Sequence, residues 1–225
     1  MSARLYAAPA PAPCGAWLIL AHGAGAGHDS TFMVSYAGAL SARGITTVTF
    51  NFPYTQRGRR LPDAAATLEA CWRATIAAVR ERAGAAARIV AGGKSMGGRI
   101  ASQVAADDVT AANLAGLVFL GYPLHPPGGA ERRRTAHWAQ VRLPALFVQG
   151  SRDTFGSPDE LRANLSTFGG TATVIVVEGG DHSFKVTRAA GRPQDSVHAD
   201  IQDAIANWIG ALAPRSTSSG LSPRR

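Results

Sequence analysis

Ser95 lies in Gly93-Lys94-Ser95-Met96-Gly97, a G-x-S-x-G pattern set between an apolar run and a stretch of helical spacing. In that context the glycines permit a turn too tight for a Cβ, and the serine hydroxyl stands exposed at the strand end. A hydroxyl is a weak nucleophile until an oriented imidazole removes its proton, so a histidine and an acid must come from elsewhere in the chain. Gly150-Ser151-Arg152-Asp153 and Gly179-Gly180-Asp181-His182 supply them, each just after another apolar run. The order Ser95, Asp153, His182 is that of nucleophile, acid and base on a parallel sheet, and the chemistry it would perform is acyl transfer.

Acyl transfer also needs two N–H donors for the tetrahedral oxyanion. The sequence offers Met96, at the start of the helix after Ser95, and Ala24 in His22-Gly23-Ala24-Gly25, with Gly23 or Gly25 as alternatives to Ala24. His22 reads as a structural hydrogen-bonding residue. Among competing acids, Asp159 and Glu160 follow Ser157-Pro158 and read as a helix start with a capping box. Asp181 adjoins His182 and is expected to be exposed, whereas Asp29 before Ser30 reads as a helix cap. His22, His28 and Asp29 lack a second cluster at ligand spacing, so no metal is expected, and no cofactor. Two nucleotide readings fail by count. A phosphate-cradling loop ending in Gly93-Lys94-Ser95 would need glycine where Arg88 stands, and a dinucleotide fingerprint from Gly23 would need glycine in place of His28.

Three loops can meet only if the elements before them share a sheet edge. Apolar runs at Trp17–Ala21, Ile45–Phe50, Ile89–Ala91, Leu114–Leu120, Ala145–Gln149 and Thr173–Val177 read as strands. Helical spacing predicts helices over Ser30–Arg43, Leu61–Ala83, Met96–Ala106, Thr135–Val141, Pro158–Phe168 and Ala199–Leu212. The alternation implies a mostly parallel sheet with helices on both faces and ligands beyond the carboxyl ends of the strands. One domain over 16–213 is expected, between a mobile N-terminal segment, 1–15, and a mobile tail, 214–225.

With 225 residues and 46% hydrophobic residues, the chain can build a sizeable core and is not disordered. Two cysteines, Cys14 and Cys71, exclude a disulfide framework and point to a reducing, cytoplasmic setting. No apolar run reaches the roughly 18–20 residues of a membrane span, and prolines break the N-terminal stretch before a leader forms. The net charge of +8 invites a nucleic-acid reading. Against it, Arg215, Arg224 and Arg225 lie in a tail without acids, and the runs Arg59-Arg60 and Arg132-Arg133-Arg134 read as solvated faces. Neither a nucleic-acid nor a membrane partner is expected, and the oligomeric state stays open.

The motif set is broader than the three strand ends. His22-Gly23-Ala24-Gly25, Asn51-Phe52-Pro53-Tyr54, Gly58-Arg59-Arg60-Leu61-Pro62-Asp63, Gly93-Lys94-Ser95-Met96-Gly97-Gly98-Arg99, Gly121-Tyr122-Pro123-Leu124-His125 and the Asp153 and His182 loops together resemble the small α/β-hydrolases related to dienelactone hydrolase. Within them the chain is most similar to the branch of bacterial predicted hydrolases grouped with testis-expressed-protein-30-like proteins, over about Trp17 to Leu212. The resemblance implies an α/β-hydrolase fold and Ser95, Asp153 and His182 as the triad of a serine esterase. Dienelactone hydrolase itself has a cysteine where Ser95 stands, so its substrate does not carry over, and some relatives in this branch are interaction subunits. Gly121 to Val141, about twenty residues, leaves no room for a separate lid domain, which favours small soluble esters in an open site. Phe155, Tyr122 and Phe184 are the expected substrate contacts, with Phe32, Met33, Leu124 and Trp138 as further wall candidates; His125 reads equally as a contact or a surface turn. Thioester cleavage, or a scaffold with a vestigial pocket, is the alternative use of the same framework.

Overall fold

The computed structural model describes residues 2–9, 15–187 and 191–212. Seven strands form one sheet: β1 (Ala3–Tyr6), β2 (Ala16–Ala21), β3 (Thr46–Phe50), β4 (Arg88–Lys94), β5 (Gly116–Leu120), β6 (Ala145–Gly150) and β7 (Ala172–Val177). Their spatial order is β1-β3-β2-β4-β5-β6-β7, and only β1 runs antiparallel to its neighbour. The six parallel strands are those the apolar runs mark out. A parallel strand between two helical layers has no water-facing side, so its residues alternate between two apolar environments. Ile19 and Ala21 of β2 enter one core, and Leu18 and Leu20 the other; Leu117 and Phe119 of β5 divide in the same way from Val118 and Leu120.

Each core is closed by its own helices. Helices α1 (Thr31–Ala42) and α7 (Gln194–Ala211) cover the face of Leu18 and Leu20 through Met33, Tyr36, Leu40, Ile201, Ile205 and Ile209. Helices α3 (Ala65–Ala83) and α4 (Met96–Val104) cover the other through Leu68, Trp72, Ile76, Ile100 and Val104. Short helices α2 (Pro53–Gln56), α5 (Asp108–Ala111) and α6 (Pro158–Asn164) complete the set, α6 with the Ser157–Glu160 capping box that its sequence predicts.

Helices α2 and α5 have no counterpart in the sequence reading, α6 ends at Asn164 rather than Phe168, and four further elements differ. Strand β1 lies inside the segment expected to be mobile, where it pairs Ala3 to Tyr6 with Phe50 to Thr47. Helix α3 begins at Ala65 rather than Leu61, because the Asp63 carboxylate turns to Arg59 instead of capping, and Leu61 stays exposed. The helix expected over Thr135–Val141 shrinks to a single 3₁₀ turn, Trp138–Gln140, pinned by an indole that is fully buried. Helix α7 starts at Gln194, directly after Pro193, rather than at Ala199. Cys14 and residues 213–225 lie outside the described residues.

Candidate active site

The turn from β4 into α4 carries Ser95 at φ 50° and ψ −116°, a conformation that costs a non-glycine residue about 1–3 kcal/mol. It is held from both sides: Ser95 N–H donates to the Leu120 carbonyl at 3.0 Å, and the Ser95 carbonyl accepts from Arg99 N–H at 3.0 Å. The flanking glycines are required by contact. A Cβ on Gly93 would stand 2.4 Å from the Ala21 carbonyl oxygen, and one on Gly97 would stand 2.5 Å from the same atom and 2.6 Å from that of His22. The β2 loop therefore presses against the turn, and Gly23 comes within 3.5 Å of Ser95 Cβ, measured from the position its own Cβ would occupy.

The three strand-end loops converge. Ser95 Oγ lies 2.9 Å from His182 Nε2, and His182 Nδ1 lies 2.8 Å from Asp153 Oδ2. Asp153 is buried, and both its oxygens are satisfied. Oδ2 also accepts from Gln149 Nε2 at 2.9 Å, and Oδ1 accepts from Phe155 N–H at 2.8 Å. With the carboxylate accepting at Nδ1, the imidazole is oriented as the tautomer whose Nε2 can take a proton from Ser95. The ring stacks on Phe155 at 4.2 Å between centroids.

Gln149 and Lys94 support this relay, and the sequence reading missed both. Gln149, next to last in β6, is fully buried: Nε2 also donates to the Gly156 carbonyl at 2.7 Å, while Oε1 accepts from Tyr122 N–H at 2.9 Å. A lone amide closing the apolar run Ala145 to Val148 was the available signal. Lys94, the variable residue of the serine motif, donates from Nζ to the His182 carbonyl and stands 5.6 Å from the centroid of the Phe184 ring. Burial pushes its ammonium down to about 8, against the opposing pull of the Asp153 and Asp181 charges.

A cavity of about 650 Å³ opens on Ser95 and His182. Ala24 and Met96, expected to supply the oxyanion donors, line it, as do Phe155, Phe32 and Met33. Two expected substrate contacts do not. Tyr122 is fully buried, its hydroxyl engaged with Ser102, the Trp138 indole N–H and the Arg134 carbonyl, so it anchors the β5–β6 connection. Phe184 is likewise fully buried, at φ 61°, beneath Lys94 and among the residues of the α1–α7 core. It anchors the His182 loop. Leu124 and Trp138 are core residues as well.

The remaining candidates keep structural duties. His22 Nδ1–H donates to the Gly23 carbonyl at 2.8 Å, and Nε2 accepts from Phe52 N–H at 3.3 Å; burial lowers its pKa, so the neutral ring braces the β2 loop. Asp181 is half-buried rather than exposed, because its Oδ1 accepts from Ser183 N–H and Lys185 N–H within its own turn. Asp29, expected to cap α1, does not: it is exposed and precedes the cap residue, which is Ser30 and makes no side-chain cap bond. His125 is buried against the Pro126 carbonyl and Glu160, away from the cavity. Among the described residues no group of His, Cys, Asp or Glu could hold a metal, and no helix is long and apolar enough to cross a membrane.

Residues 15–210 match the model of a protein family described as an alpha/beta hydrolase domain. Solved structures share the fold at low identity. An alpha-beta serine hydrolase homologue from Coxiella burnetii superposes with a TM-score of 0.70 at 19% identity, over 91% of this chain and 89% of its own. A serine hydrolase without a lid from Xanthomonas campestris gives 0.68 at 20%, over 94% and 90%. Dienelactone hydrolase from Anabaena variabilis gives 0.67 at 16%, over 93% and 89%.

Proposed function

The chain belongs to the alpha/beta hydrolase domain family, and from that premise we propose that it is a serine hydrolase of small carboxylic esters, acting through an acyl-enzyme. The observation that carries this reading is the hydrogen-bonded relay, 2.9 Å from Ser95 Oγ to His182 Nε2 and 2.8 Å from Nδ1 to Asp153. His182 takes the Ser95 proton as Oγ attacks the ester carbonyl. The oxyanion is held by the N–H groups of Met96 and Ala24, and Asp153 stabilises the imidazolium. His182 then protonates the leaving alcohol. Water, deprotonated by the same imidazole, cleaves the acyl-Ser95 ester and releases the acid.

The site itself supports small substrates. The β5–β6 connection spends its length on the Tyr122 and Trp138 anchors and a 3₁₀ turn, and only short pieces of it, such as Pro123, reach the cavity. No lid stands over Ser95 among the described residues, so acyl groups held in an enclosed tunnel are poor candidates. Neighbours include proteins described as a cold-adapted esterase and a monoacylglycerol lipase, at 18% and 13% identity; their substrates do not decide this one.

A fluorophosphonate probe tests the reading. A working triad gives a single covalent adduct on Ser95, and Ser95→Ala both abolishes it and lowers turnover of a 4-nitrophenyl acetate ester by about 10⁶-fold. A folded protein that takes up no probe, or a Ser95→Ala variant with unchanged esterase activity, overturns the reading and leaves a scaffold with a vestigial pocket.

A further inference from the structure

Ester hydrolysis needs the serine, its relay and the oxyanion donors, and these occupy only part of the cavity. Arg99, in the first turn of α4, and Arg134, from the β5–β6 connection, line another part of its wall. Of the arginines outside the cavity, Arg132 pairs with Glu131, Arg133 with Glu160 and Arg162 with Asp159, whereas others such as Arg4 have no carboxylate partner among the described residues. Arg99 and Arg134 have no carboxylate within 4 Å among the described residues. The Arg99 guanidinium donates from Nη1 to Gln103 Oε1 at 3.3 Å, and its Nε is buried without a partner. Burial leaves that guanidinium one N–H short of an acceptor, and with no carboxylate beside it the charge is offset only by what the cavity brings to its exposed nitrogens.

The other charges facing this wall do not cancel the two arginines. Asp63 lines the cavity, but its Oδ1 is held by Arg59 and Arg57, so its charge is already offset. His137 contributes none, because burial and the Arg99 charge push its pKa down to about 4 while its Nε2 engages Ser102 at 2.7 Å. Burial and the Arg99 charge likewise hold the Arg134 guanidinium below its ordinary pKa. Two uncompensated guanidinium groups beside one cavity attract a planar or tetrahedral oxyanion, which they can bind in charge-assisted pairs.

We propose that Arg99 and Arg134 form an anion subsite, and that the ester cleaved at Ser95 carries a carboxylate or phosphate group that docks there. The inference rests on the ester-hydrolase reading for its substrate class. The anionic group does not react; the ester consumes one water and yields its acid and alcohol, with the second charge still in place.

Matched esters test it. 4-Acetoxybenzoate and 4-acetoxyphenyl phosphate are compared with methyl 4-acetoxybenzoate, and 4-nitrophenyl glutarate with its methyl ester, so that charge is varied on the alcohol and on the acyl side. The expected result is a preference of at least tenfold in kcat/KM for an anionic member of one series, carried mainly by KM and weakened by salt. Which anionic member wins separates carboxylate from phosphate. In Arg134→Gln and Arg99→Gln the preference falls toward unity, while Arg134→Lys retains part of it. A wild-type preference for the neutral member in both series overturns the proposal, as does an anionic preference that survives both glutamine variants. Arg134 lies in a connection rather than within the core helices, so its variant is informative even if the Arg99 variant fails to fold. Calorimetric binding of benzoate, glutarate and phenyl phosphate needs no turnover. Binding that Arg134→Gln weakens at least tenfold supports the subsite even if no ester is cleaved, and absence of binding to the wild-type protein counts against it even if neutral esters are cleaved.

Discussion

Asp153→Asn perturbs the relay at an atom whose surroundings are fully specified. The carboxylate accepts on both oxygens, from His182 Nδ1 and Gln149 Nε2 at Oδ2, and from Phe155 N–H at Oδ1. An asparagine must place its NH₂ group at one of these positions. At Oδ2 it meets the Gln149 amide donor at 2.9 Å and forces His182 Nδ1 to accept, which leaves the proton on Nε2 facing Ser95. At Oδ1 it meets the Phe155 N–H at 2.8 Å. Gln149 cannot relieve the first clash by flipping, because its Oε1 accepts from Tyr122 N–H and its Nε2 also donates to the Gly156 carbonyl. Either orientation leaves a buried donor without an acceptor, at a cost of about 1–3 kcal/mol in stability. The orientation with the amide at Oδ2 also gives the wrong tautomer, for which a loss of about 10⁴-fold in kcat is expected. Denaturant unfolding with turnover of 4-nitrophenyl acetate reads both effects. An Asp153→Asn variant within tenfold of wild-type kcat would refute the tautomer argument and with it the assignment of Asp153.

Gln149→Leu keeps the volume but orphans Tyr122 N–H and the Gly156 carbonyl and removes one donor from Asp153; a stability loss of about 2–5 kcal/mol in urea and a fall in kcat of roughly ten- to a hundredfold are expected. Lys94 titrates near 8 in the folded chain against an ordinary value of 10.5. Between those values the unfolded chain binds more protons, so Lys94 makes stability rise with pH across that window; Lys94→Met flattens the slope in pH-resolved melts and loses the bond to the His182 carbonyl, lowering kcat. Gly97→Ala drives a Cβ to within 2.6 Å of the carbonyl oxygens of Ala21, at the end of β2, and His22, and a destabilisation at or above the upper end of about 1–3 kcal/mol is expected in thermal unfolding, with activity falling as the loop that carries Ala24 is displaced.

The residues legible in advance were those whose type and place in the chain are both dictated by chemistry. Ser95, Asp153 and His182 follow β4, β6 and β7, and a parallel sheet brings those ends together whatever the helices do. Asp153 rather than Asp181 meets His182 Nδ1, because the turn after β7 consumes the Asp181 carboxylate locally. The aromatic wall was not legible. Tyr122 and Phe184 sit beside glycine-rich strand ends just as Phe155 does, yet only Phe155 reaches the cavity. Sequence position fixes that such a residue is near the site; the side chain's direction depends on backbone turns such as the positive φ of Phe184. Strand β1 was hidden for a different reason: Ala3 to Tyr6 are mostly exposed on an edge and show no apolar run.

The β5–β6 connection links these points. A hydrolase that covers its substrate would extend this segment outward. Here its aromatic residues turn inward, and Tyr122, Trp138 and Ser102 form a buried hydrogen-bonded knot with His137. That knot fixes the Arg134 carbonyl at 3.1 Å from the Tyr122 hydroxyl, so the backbone from which the Arg134 guanidinium extends toward the cavity is rigid. Tyr122 N–H meanwhile holds Gln149, which holds Asp153. One anchored tyrosine thus ties the acid of the relay to the arginine wall. Tyr122→Phe, which loses only the hydroxyl, is expected to disturb anion preference more than the rate of cleaving a neutral ester, because the Tyr122 N–H that positions Gln149 remains. Parallel loss of both in steady-state kinetics would show that the two halves of the cavity are not organised in this way.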